Sequence, residues 1–256
     1  MFGYLLDLLY LVDWIRVRRA ALEIAIALLV FTGLVCVLTW PTVSHLDEVL
    51  LGGGELGGWR WREWWHFKEI ESIESSDLGF FSNLSMLISL GRFPETGNIL
   101  DLLLVSYPLE QWLGWPMSHN VKVLFILIGN GICGYALARS FTDSWIIGLI
   151  GGTVAILNPL VIQDINKLGL RQVLLWWLLL YPVFLRRAQR TGTAFDGFLA
   201  ASIFVLASAF YWFYGLFAAM MTVIHVAAWW WKERPAKVRV TSWSIPFVIT
   251  AGLGIL

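Results

Sequence analysis

The chain has 256 residues, 58% apolar and 14% charged, with no net charge and a mean hydropathy of +0.71. That is too apolar for a soluble domain, where charged residues approach a quarter of the chain. The zero balance also speaks against a surface built for nucleic acid. Cys36 and Cys133 lie in apolar runs and read as buried thiols, not as a disulfide or metal framework.

Residues 1–19 alternate Leu, Tyr and Trp with Asp7 and Asp13 and close on Arg16, Arg18 and Arg19. They are expected to form a cytoplasmic interfacial helix lying flat on the bilayer. Residues 20–40 form the first span and open a multi-pass domain covering 20–256. Arginines before this span and acids after it put the N-terminus in the cytoplasm.

The first outer loop, 41–120, is the only long polar segment. Between Pro41 and Asp101 ten carboxylates meet four cations, and Trp59, Trp61, Trp64 and Trp65 crowd into seven residues. Indoles favour the membrane–water boundary, so this loop is expected to lie on the bilayer and present carboxylates above it. Gly52, Gly53 and Gly54 precede Glu55, and Gly57 and Gly58 follow it. Such a stretch lets the backbone turn tightly. Residues 79–90 are apolar but too short to span, which suggests an interfacial or re-entrant helix.

Residues 99–117 carry Asp101, Pro108, Glu110 and Pro116 and are expected not to cross. Spans then follow at 121–138, 145–162, 168–185, 194–213 and 214–231. On this layout Arg139, the Arg186–Arg190 group and the Lys232–Arg239 group all fall inside, as the positive-inside rule requires. The expected fold is therefore all-α and polytopic, with six complete spans and the start of a seventh. Because the sequence stops within an apolar run, a longer chain is expected.

Three carboxylates are the candidate acid–base groups: Glu55, Asp47 and Asp164. Arg60, Arg62, His66 and Lys68 stand beside the tryptophans, where cations can hold a lipid phosphate. Asn166 and Arg171 share the second outer loop with Asp164. The plainer alternative is a wet acidic loop with local pairs such as Arg60–Glu63 and Lys68–Glu71. Glu23 and His225 lie in apolar runs close to basic ends and are left outside the site.

The order of these landmarks resembles the C-type (GT-C) glycosyltransferase superfamily. The matching stretches are Gly52–Glu55 with Trp59–Trp65, then Phe93-Pro94-Glu95-Thr96-Gly97. Further on come Leu157-Asn158-Pro159-Leu160, Gln163-Asp164-Ile165-Asn166, Trp176-Trp177 to Tyr181-Pro182, and Ala209–Tyr214, which resembles the family's aromatic turn. The resemblance covers about residues 20–231. It implies an integral protein of the bacterial inner membrane that transfers a sugar from a polyprenyl-phosphate donor on the extracytoplasmic face. Membrane lipid and the lipid-linked sugar are the implied partners. A divalent ion, Mg or Mn, held by Asp47 or Glu55 with Asp164 would suit oxygen ligands. Two departures stand out: Glu55 where the family's loop acid is usually Asp, and Asp164 where its second loop usually has His. Both are compatible with a second reading, a non-catalytic scaffold or subunit of a membrane complex that shares the fold.

Overall fold

The computed structural model describes residues 2–52, 64, 67–68, 71, 105–166, 170–233, 244–245 and 247–249. Among them every regular element is helical. Helix α1 runs unbroken over Phe2–Leu38, through the basic cluster, and its apolar part Arg18–Leu38 is long enough to cross a bilayer. A 3-10 turn at Thr42–Ser44 follows. After residue 105 come α2 (Tyr107–Leu113), α3 (Met117–Thr142), α4 (Trp145–Ile156), α5 (Pro159–Asn166), α6 (Leu170–Val173), α7 (Trp176–Thr191), α8 (Ala194–Phe210) and α9 (Trp212–Glu233).

Among the described residues four stretches are long and apolar enough to span: Arg18–Leu38, Met117–Thr142, Trp145–Ile165 and Trp212–Trp231. Helix α8 is apolar but shorter, and α7 ends in a basic turn. At seven residues, α2 is too short to cross by itself.

Helices α1, α3 and α4 pack through glycine. A side chain at Gly134 would put its Cβ 2.8 Å from the Gly151 carbonyl oxygen, and one at Gly148 would meet the Tyr135 ring at 2.6 Å. Small residues let helix backbones approach closely where lipid gives no hydrophobic drive for association. Phe31 of α1, fully buried, fills the groove beside Gly131 and Gly152. This core continues through Val123, Ile126 and Ile156 to Val161, Val173 and Leu51. A second core joins α7, α8 and α9 through Tyr181, Leu185, Phe204, Ala218 and Trp229.

Three expected spans are interrupted. The segment 145–162 breaks at Leu157 and Asn158, because the residue before Pro159 is pushed out of the α region. Asn158 Oδ1 then accepts the Leu160 N–H at 3.0 Å and restarts the chain as α5. The segment 168–185 breaks at Leu174 and Leu175 with neither glycine nor proline nearby. Asn130 of α3, fully buried, explains it. Its Nδ2 donates to the Val173 carbonyl at 2.7 Å, and its Oδ1 accepts the Leu175 N–H at 3.0 Å. An inserted side chain that satisfies the freed backbone groups makes such a break tolerable. Finally, α8 and α9 part at Tyr211, which is extended, so α9 begins two residues before the expected boundary.

The end of α3 at Thr142 is charged. Glu23 of α1 is 8% exposed, and Arg139 Nη1 meets its Oε2 at 2.6 Å. Arg19 Nε lies 3.1 Å from Oε1, and the Tyr135 hydroxyl donates to Oε2 at 3.3 Å. Nearby, Arg186 of α7 stands 4.3 Å over the Phe141 ring. The α7–α8 turn is closed by Asp196, which meets Arg187 Nε at 2.8 Å and accepts the Thr191 and Thr193 hydroxyls. Glu23 thus belongs to the joint between α1 and α3.

Candidate functional site

The opposite end of α3 opens with Ser118-His119-Asn120-Val121-Lys122, and all four polar side chains are buried. Buried polar groups are costly unless they are bonded. Here each is bonded, and chiefly to chain outside α3. Asn120, fully buried, accepts the Leu51 N–H at 2.7 Å and donates to the carbonyls of Leu46 and Val49, both at 2.7 Å. His119 Nε2 lies 3.3 Å from the Leu51 carbonyl. Lys122 Nζ donates to Ser106 Oγ at 2.6 Å, and Ser118 Oγ donates to Glu110 Oε2 at 2.6 Å.

The two strands of chain that bound residues 53–104 are therefore fastened to one short stretch of α3. Leu51 precedes that segment and Ser106 follows it. Within it, Phe67 is buried, with its ring 5.6 Å from that of Tyr107. The described chain on either side of the acidic segment is thus held at one platform on α3, beside a buried ammonium.

Asp47 sits exposed in the turn that Asn120 fixes through Leu46 and Val49. Lys68 pairs with Glu71 at 2.6 Å, the local pairing that its spacing suggests. Asp164 lies half-buried on α5, within electrostatic reach of Tyr214 on α9. Its neighbours Val161 and Ile165 share one core with Leu46 and Leu51. The structure thus brings the Asp47 turn and the Asp164 helix onto the same packing unit. Glu55, Arg60, Arg62 and His66 lie outside the described residues, as do the side chains of Asn166 and Arg171. Among the described residues no three His, Cys, Asp or Glu side chains gather as a metal site.

A second polar group lies where α6–α7 and α8–α9 are interrupted. Gln172 Nε2 donates to the Tyr211 hydroxyl at 3.1 Å, while Tyr214 donates its hydroxyl to the Gln172 carbonyl. The Tyr211 and Tyr214 rings meet edge-on at 5.1 Å.

No family model, curated protein or solved structure matches this chain. Its reading therefore rests on its own residues.

Sequence reasoning left His119 and Asn120 at the end of the first outer loop and passed over Lys122 and Asn130 as parts of an ordinary span, whereas α3 begins at Met117 and takes in all four. The signal was present. An amide or ammonium inside an apolar helix needs a partner, and four polar residues at one helix entrance mark where chain must return to meet them.

Proposed function

We propose that the protein is a membrane glycosyltransferase of C-type design, with six spans and a cytoplasmic N-terminus, using a polyprenyl-phosphate-linked sugar on the extracytoplasmic face. The observation that carries this reading is the anchoring of both boundaries of segment 53–104 to α3 beside the buried Lys122. An acid–base group must be held in register with its substrate, and a fixed platform provides that. In this reading Glu55 takes the proton of the acceptor hydroxyl as the acceptor oxygen bonds to the anomeric carbon. The polyprenyl phosphate departs with the bonding electron pair. Arg60, Arg62 and Arg171 meet its charge, with Lys122 adding a field little screened by solvent. Asp47 and Asp164 complete the acidic set, alone or with a divalent ion between them.

The test uses the full chain in lipid nanodiscs and a radiolabelled polyprenyl-phosphate sugar. Glu55→Gln removes the charge and keeps the size, so transfer should fall by ~10²–10⁴-fold. Glu71→Gln, in the Lys68 pair, should leave the rate nearly unchanged. Equal losses from both would reassign the effect to overall loop charge. No transfer by the wild-type protein would give way to the scaffold reading.

A further inference from the structure

We infer that Gln172 and Tyr211, with Asp164 close by, form a subsite for the hydroxyls of a sugar ring. The inference deepens the reading above and depends on it only for what carries the sugar. It begins with what the two helix breaks require. At the α6–α7 break, Asn130 satisfies the Val173 carbonyl and the Leu175 N–H from the buried side. Tyr214 satisfies the Gln172 carbonyl. The backbone is provided for without help from the Gln172 and Tyr211 side chains. These two instead bond each other, on the exposed side of the break.

What they offer is specific. A primary amide both donates and accepts, and so does a phenol. After one N–H is given to Tyr211, Gln172 keeps a second N–H and its carbonyl oxygen. Tyr211 keeps its own proton. The Asp164 carboxylate stands within electrostatic reach of Tyr214, the neighbour of both. Just beyond, Trp212 is 65% exposed, with its ring stacked on that of Phe213. Sugar hydroxyls both donate and accept, and the C–H faces of a sugar ring suit an aromatic wall. A phosphate brings acceptors only, and would leave the Gln172 carbonyl oxygen unmatched. The group is therefore matched to the sugar part of a lipid-linked donor or of an acceptor glycan, and not to a phosphate.

Saturation-transfer NMR on the full chain in nanodiscs, free of glycoside detergent, tests this with methyl glucoside, methyl mannoside and methyl galactoside. At least one should receive saturation from the wild-type protein. Gln172→Ala and Tyr211→Phe should each raise its apparent Kd about tenfold, the loss of one well-made hydrogen bond. Tyr211→Phe keeps the ring and carries the test if Gln172→Ala fails to fold. Saturation of none of the three, or variants that bind as tightly as wild type, would overturn the subsite. Sugar-free polyprenyl phosphate, titrated into the same preparations, reports on the donor reading separately. If it does not bind while the glycosides do, the donor reading fails and the subsite stands. If it binds while no glycoside does, the subsite fails alone.

Discussion

The two ends of α3 are tied to their surroundings by different chemistry. At the Thr142 end the link to α1 is ionic: Glu23 lies between Arg139 and Arg19. At the Met117 end the link to the preceding chain runs through a neutral amide, Asn120, with three bonds of 2.7 Å. An ion pair is strong but loosely directional, and its cost rises steeply if one partner is lost. An amide fixes both donors and acceptors in a plane, which suits a segment whose position has to be kept. The ionic end joins two helices. The amide end places a turn.

Removing one partner of the ionic end should give the largest change. Arg139→Ala leaves the largely buried Glu23 carboxylate with the exposed Arg19 and the Tyr135 hydroxyl, and should cost about 3 kcal/mol, the low end for a broken buried pair. Thermal melting in nanodiscs would read it, and Glu23→Gln in the same background should recover much of the loss. An Arg139→Ala protein as stable as wild type would mean that the arginine is only snorkelling to the surface.

Asn120→Ala should act next, and differently. It strips a partner from three backbone groups, of which the Leu51 N–H is the one whose bond is fully buried, so the cost should be about 1–3 kcal/mol. Because the damage falls on the turn, hydrogen exchange at the Leu51 amide should speed up far more than exchange in the middle of α3. Uniform acceleration along α3 would show that the amide supports the bundle and not the turn. The smallest effect belongs to Lys68→Ala, which breaks an exposed pair with Glu71. It should change stability by ~0.2–1 kcal/mol, and less in high salt.

The sequence made some of this visible and hid the rest for physical reasons. Long apolar runs identify α1, α3 and α9 because burial in lipid needs length and little else. The break before Pro159 was also written in the chain, although the resemblance used Asn158-Pro159 only as a family signature. The break at Leu174 was not written locally, since its cause, Asn130, lies on another helix. The resemblance gave a turn within Ala209–Tyr214, but five aromatics in six residues show no periodicity that would place it at Tyr211. For the site, Asp164 and Asp47 were named from their place in polar loops, and their neighbours Ile165 and Leu46 share one core. The platform beneath them was missed because Asn120 was taken as the end of the loop and Lys122 as an exception in a span, when both are contacts to the chain that returns to α3.

The common anchorage of Leu51 and Ser106 bears on how this protein tolerates change. Two points held on one stretch of helix form a closed ring of chain, and the entropy of closing such a ring grows only with the logarithm of its length. Doubling the enclosed chain would cost about 0.6 kcal/mol. Insertions after Glu71, beyond the Phe67 contact, are therefore thermodynamically cheap so long as Asn120 and Lys122 keep their partners. The bundle can carry segments of very different size between Leu51 and Ser106 on an unaltered base.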